Sequence, residues 1–188
     1  MHTLILTCAG ESSRFPTYGP KWTLTHPSGE IMAAEAIRHI TGYDALVVAI
    51  RLSHADKYPP ELVRQAMMGT ARCDSTAVHV VVVPDTEGPL DTVEATLKSS
   101  DLPTGFFGGA ITIKDCDNSF AYELPDMALF RRMSVGSVVA VGDLSSSQIG
   151  RVATANKGYV RLHGTGHIEA VANRGVISSW FSAGAYTF

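Results

Sequence analysis

The sequence predicts an α/β fold with a mainly parallel sheet flanked by helices, and three observations carry that expectation. Five short apolar runs recur along the 188 residues, each is apolar on consecutive positions, and helical patterns separate most of them. Consecutive β-branched and aliphatic residues suit strands covered on both faces, as parallel strands are. Helices between strands supply the crossovers that parallel neighbours require.

The elements follow in order. TLILTC (3–8), ALVVAI (45–50), AVHVVVVP (77–84), GAITIKD (109–115) and GSVVAVGD (136–143) are the strands. EIMAAEAIRHI (30–40) reads as a helix, because Ile31, Ala34, Ile37 and Ile40 fall on one stripe. PELVRQAMM (60–68) opens with a proline, which a first helical turn accepts. LDTVEATLKSS (90–100) carries Asp91 and Glu94 near its start, and ELPDMALFRRM (123–133) ends in cations; the helix dipole favours both arrangements. From Arg151 onward the pattern changes to short strands with glycine turns, GYVRLHGTGHIEAVANRG, which predicts a small antiparallel extension near the C-terminus. The chain, 1–188, reads as one domain.

Composition narrows the function classes. A hydrophobic fraction of 45% and a charged fraction of 18% are those of a globular protein. The formal net charge of −3, with 15 dispersed Lys and Arg, argues against a nucleic-acid partner. Cys8, Cys73 and Cys116 are odd in number and far apart, so neither a disulfide framework nor a zinc spacing is visible. The start, MHTLILTCAG, turns polar too soon for a signal peptide, and no apolar run reaches the roughly 18 residues of a membrane span. The expectation is a cytoplasmic protein with no membrane partner; self-association is compatible with the sequence.

The stretch AGESSRFPTYGPKW (9–22) holds the densest signal. In a parallel sheet, ligands bind beyond the carboxyl ends of strands, and this stretch follows the first strand. Gly10 allows a tight turn, Ser12 and Ser13 offer hydroxyls and backbone N–H groups to phosphate oxygens, and Arg14 can grip a phosphate with two parallel hydrogen bonds. Lys21 adds a second cation on a loop stiffened by proline. The pattern suits a polyphosphate. It is neither a Walker loop nor a dinucleotide fingerprint, and an ordinary loop with solvated cations remains the alternative.

AGESSRF followed by PKW resembles the signature of the sugar-phosphate nucleotidyltransferases, A-G-x-G-S/T-R-F/L and then P-K-P. TLTHPSGEIMAAEAI (23–37) is similar to the stretch that leads into that family's second helix. VVVVPDTEGPLDTVEATLK (80–98) resembles its T-x-G-x-x-x-T segment, ITIKDCDNSF (111–120) its strand ending in a magnesium-holding aspartate, and EAVANRGVISSWFSAGAYTF (169–188) its sugar-phosphate segment. The motifs fall in family order over nearly the whole chain.

The resemblance implies a Rossmann-like sheet of the GT-A type. It also implies a reaction in which a nucleoside triphosphate is joined to a phosphorylated small-molecule acceptor and pyrophosphate is released, here for surface polysaccharide assembly. By the same resemblance Arg14 and Lys21 are catalytic, neutralising triphosphate charge. Ala9, Gly10, Glu11, Ser12 and Ser13 lie against the nucleotide, and Gly88 and Thr92 lie near its base. Asn173 and Arg174 face the acceptor. Asp117 holds Mg²⁺, with Asp115 two residues away on the same side of the strand. A turn of solvated acids is the other reading of Asp115–Cys116–Asp117.

Several positions depart from the family pattern. Ser12 replaces its second glycine, Trp22 its proline, and Asn173–Arg174 its Glu-Lys pair; Pro89 lacks an N–H where the family often uses glutamine. Family members usually continue past G-x-Y-x-F to a second metal aspartate, so the sequence reads as a fragment or as a reduced member. Two other readings are a nucleotide-sugar-dependent glycosyltransferase, to which Asp-Cys-Asp is also suited, and a non-catalytic nucleotide-binding domain of the same fold. The opening signature argues against the glycosyltransferase.

Overall fold

The structure, a computed structural model, describes residues 1–12, 17–124, 137–141, 158–164, 167–173 and 177–188; for 137–141, Asn173 and Phe181 it describes the backbone. The chain forms two compact units, Met1–Gly136 with Thr187–Phe188, and Ser137–Tyr186.

In the first unit the elements are β1 (His2–Cys8), α1 (Met32–Ile37), β2 (Ile40–Thr41), β3 (Ala45–Arg51), α2 (Leu52–Ala55), α3 (Pro60–Met68), β4 (Val78–Val83), α4 (Pro89–Leu97), β5 (Ala110–Asp115) and β6 (Tyr122–Glu123). Strands β4, β3, β1 and β5 lie side by side in that order, all parallel. The chain therefore moves outward from β1 through β3 to β4, then returns to place β5 on the other side of β1. That reversal is a topological switch point, where the crevice between strand ends opens.

The apolar runs explain the layers. Leu4, Leu6, Cys8, Leu46, Val48 and Ile50 face one side of the sheet, against Ala33, Ala34 and Ile37 of α1 and Val63 and Met67 of α3. Ile5, Val47, Ala49, Val81 and Val83 face the other, against Leu102 and half-buried Ala95 of α4. Each fully buried aliphatic side chain contributes about 1.5–3 kcal/mol, so both faces of β1 and β3 are committed to core.

β1, β3, β4 and β5 lie where the apolar runs predict them, and α3 has the predicted bounds. Helix α1 is shorter than the 30–40 pattern, because Ile40 pairs instead with Tyr122 in the small parallel sheet of β2 and β6. Gly42, at φ +87°, permits this sheet: a Cβ there would lie 2.9 Å from the Leu124 carbonyl oxygen. The helix expected over 123–133 is preempted at its start by β6, and 125–133 lie outside the described residues. Among the described residues, no helix is long and apolar enough to cross a membrane.

The second unit contains β7 (Ser137–Val141), β8 (Gly158–Leu162), β9 (Ile168–Asn173) and β10 (Phe181–Thr187). β8 pairs antiparallel with both β9 and β10, as the glycine-punctuated tail predicts. β7, which covers most of the fifth apolar run, pairs with β10. The last two residues belong to the first unit, where Phe188 and Ile111 exchange backbone hydrogen bonds of 2.9 and 3.1 Å.

Candidate active site

Two chain segments emerge at the switch point: the loop after β1 and the turn after β5. Ala9 is buried at the root of the first, and Gly10 follows it with no protein atom within 4 Å of where a Cβ would stand. Ser12 then adopts φ 55°, the left-handed region that favours glycine. This is the position where the family signature has its second glycine. Serine gives something glycine cannot: its Oγ accepts a 2.7 Å hydrogen bond from the backbone N–H of Lys21. The hydroxyl thus fixes the start of the short 3-10 turn Lys21–Thr23. Trp22, in place of the family proline, is buried in the core against Tyr58 and His54.

Lys21 reaches across to the second segment. Its Nζ donates to Asp117 Oδ2 in an ion pair that links residues 96 positions apart. Two residues expected to share a phosphate and metal site are therefore brought together. Ser13, Arg14 and Arg174 lie outside the described residues, and Asn173 is described only by its backbone, at the end of β9 in the second unit.

The second segment differs from its expectation in one respect. β5 ends at Asp115, and Asp117 sits in a turn beyond it, so the two acids are not successive same-side residues of one strand. The cause is Lys114, which is fully buried. Its ammonium donates to the carbonyl oxygens of Asp115 (2.7 Å) and Asn118 (2.8 Å) and to Asn118 Oδ1, and so folds the chain around itself. It also lies 4.9 Å from the centre of the Phe120 ring. Burial lowers the Lys114 pKa to about 8, while the nearby charges of Asp115 and Asp117 work to raise it. Downstream, Ser119 Oγ donates to the Glu35 carbonyl at 3.0 Å, and β6 returns the chain to β2. The acidic turn is thereby anchored on both sides.

Cys116 lies next to Cys8, whose thiol is pushed well up by burial and by that neighbour. A thiol so raised is not a nucleophile at neutral pH, in keeping with a packing role.

A third loop, from β4 to α4, closes on itself. Thr92 is buried; its Oγ1 donates to the Gly88 carbonyl at 3.1 Å and shares a 2.7 Å hydrogen bond with Thr86 Oγ1. Gly88, at φ −154°, caps α4 in extended geometry. Arg51, at the end of β3, ties this loop to the first: its Nη1 is 3.7 Å from Glu11 Oε1 and its Nε 3.0 Å from Asp85 Oδ1. Ser53 holds the same Asp85 oxygen at 3.0 Å. Arg51 and Lys114 were missed in the sequence. Arg51 had one signal, a cation closing an apolar run at a strand's carboxyl end; Lys114 read as an ordinary polar position.

The acidic turn suits a hard divalent cation. Its two carboxylates offer oxygen donors, and one of them already holds a cationic group, the Lys21 ammonium. Mg²⁺ commonly takes one or two carboxylates and fills its other positions with phosphates and water. Among the described residues there is no cluster of three or more metal-ligating side chains.

No protein-family model matches the sequence, and no curated protein matches it by sequence. Solved structures match it by shape. The nucleoside-diphosphate-sugar pyrophosphorylase from Vibrio cholerae RC9 does so with a TM-score of 0.67 at 18% identity. The inositol-1-phosphate CTP transferase from T. maritima gives 0.63 at 13%, and HddC from Yersinia pseudotuberculosis gives 0.62 at 12%. Each match covers 100% of this chain and, respectively, 72%, 70% and 76% of the other. The fold is that of the sugar-phosphate nucleotidyltransferases.

Proposed function

We propose that this chain is a nucleotidyltransferase that joins a nucleoside triphosphate to a phosphorylated small molecule, such as a sugar phosphate, and releases pyrophosphate. The observation that carries the reading is the meeting of Lys21 and Asp117 at the switch point between β1 and β5. A fold shared with a nucleoside-diphosphate-sugar pyrophosphorylase and a CTP transferase supports it.

The chemistry asks little of the protein beyond charge and alignment. A phosphate oxygen of the acceptor forms a bond to the α-phosphorus as the bond from that phosphorus to the bridging oxygen of the β-phosphate breaks, and pyrophosphate leaves with the electron pair. The attacking oxygen is already anionic, so no general base is needed. Lys21, with Arg14 as its expected partner, neutralises the triphosphate. The backbone of Ala9–Ser12 lies along the nucleotide, and the loop at Gly88 and Thr92 borders the base. Asp117 and Asp115 would hold Mg²⁺. When bound, that ion supplies Lewis-acid stabilisation of phosphate charge. Asn173 and Arg174 are the proposed acceptor contacts. A cytoplasmic location and a role in making precursors of surface polysaccharide belong to the same reading.

The test is pyrophosphate release from each of the four common nucleoside triphosphates, with Mg²⁺ and a panel of sugar 1-phosphates. Release that needs one triphosphate, one acceptor and Mg²⁺ is the expected outcome. Binding of a triphosphate without release for any acceptor would overturn it in favour of a nucleotide-binding domain. Activity only with nucleotide-sugars would favour the glycosyltransferase.

A further inference from the structure

We propose that Lys114 is a positioning residue for the acidic pair: from beneath the turn it sets the backbone that presents Asp115 and Asp117 to a divalent cation. This rests on the reading of those two carboxylates as the cation's ligands, and extends it to a residue that touches neither substrate nor metal.

Burying an ammonium costs several kcal/mol before its partners are counted. At a position opposite Leu6 of β1, on the core side of the sheet, a leucine or methionine would serve packing alone. Lysine instead places three N–H donors there, and all three find acceptors. Every acceptor belongs to Asp115 or Asn118, the two ends of the segment that contains both acids. The ammonium draws the carbonyls of 115 and 118 to one point, which forces the intervening residues into a turn. Because Lys114 is fixed in β5, the turn inherits the rigidity of the sheet. Such support usually governs how well a metal's direct ligands perform.

The sign of one measurement separates positioning from simple charge. Removing a nearby positive charge should tighten cation binding through space. Losing the support should weaken it, by about tenfold or more, as loss of an outer-shell partner does. The experiment is a titration of the intact chain with Mn²⁺, followed by electron paramagnetic resonance, with melting points measured in parallel. Lys114→Met should bind Mn²⁺ more weakly while remaining folded, and Lys114→Gln, which keeps two N–H donors, should recover part of the loss. Asn118→Ala should weaken binding in the same direction, and Lys114→Met with Asn118→Ala should be no worse than Lys114→Met alone. If Lys114→Met does not fold, Asn118→Ala decides. Mn²⁺ affinity that is unchanged or tighter in the folded variants overturns the proposal, as does a wild-type chain that holds no Mn²⁺. The outcome is independent of catalysis: a wild-type chain that binds Mn²⁺ through Asp117 yet releases no pyrophosphate fails the proposed reaction but not this inference.

Discussion

β3 and β5 flank β1 on opposite sides, in the same direction and in matched register, yet they bury different things. β3 buries Ala45, Leu46, Val47, Val48, Ala49 and Ile50, apolar without interruption. The buried positions of β5 are Ala110, Thr112 and Lys114. Thr112 is held by His2 Nε2 at 2.7 Å and by Thr187 Oγ1 at 2.8 Å, and Lys114 by the acidic turn. Both strands pair with β1 along their length, so pairing and burial alone do not separate structure from chemistry. The separation lies in what the buried face is made of: β3 holds the sheet by exclusion of water, whereas β5 buries polar side chains held by hydrogen bonds, of which those of Lys114 end in the acidic turn.

That contrast can be broken from either strand. The largest effects are expected at the ion pair that meets the turn beyond β5. Lys21→Ala should lower turnover about a hundredfold, as removal of one preorganised charge-stabilising group does, with little change in melting point. Asp117→Asn should abolish Mg²⁺-dependent turnover; full activity in that variant would move the cation elsewhere. On the β3 side the signature should invert. Leu46→Ala should cost about 2–5 kcal/mol in chemical denaturation yet leave Mn²⁺ affinity unchanged in the folded protein.

A smaller effect sharpens the picture at Ser12. Ser12→Ala loses the bond to Lys21 N–H and keeps the left-handed backbone; Ser12→Gly loses the same bond and relieves the backbone. Alanine should therefore be less stable than glycine by about 1 kcal/mol. Equal melting points would show that the left-handed geometry is not retained in solution.

The smallest effect expected is with pH. Burial lowers the pKa of His2 from its ordinary 6.5, and does the same at His54 and His79. The unfolded chain then binds more protons than the folded one just below 6.5, so stability falls as pH drops through that window. Its full contribution is present above it. Melting points should decline between about pH 7 and pH 5, and His2→Gln should decline less. Identical slopes would remove His2 from the effect.

The same contrast explains what could be read before folding. β1, β3, β4 and β5 are legible because each is a short, mostly β-branched run that is apolar on consecutive positions. Lys21 and Asp117 were legible from motif order. Lys114 was not, because a lysine in a strand ordinarily reads as solvent-facing; only its register opposite Leu6 reveals it as buried. Arg51 depends in the same way on loops that meet only after folding. The shortening of α1 arises from a two-residue pairing with Tyr122, some eighty positions on, and no local pattern carries that.

The ion pair between Lys21 and Asp117 has a consequence for how the protein assembles its candidate site. Its two halves are separated by 96 positions and meet only when β5 docks beside β1. Contacts so distant in sequence are slow to form, since a long loop must close before anything is gained by closing it. Helices and the pairing of β1 with β3 are more local and need not wait. In refolding, helical signal should return first and, on the proposed function, turnover last, which would make recovery of turnover a clock for the final docking step rather than for collapse.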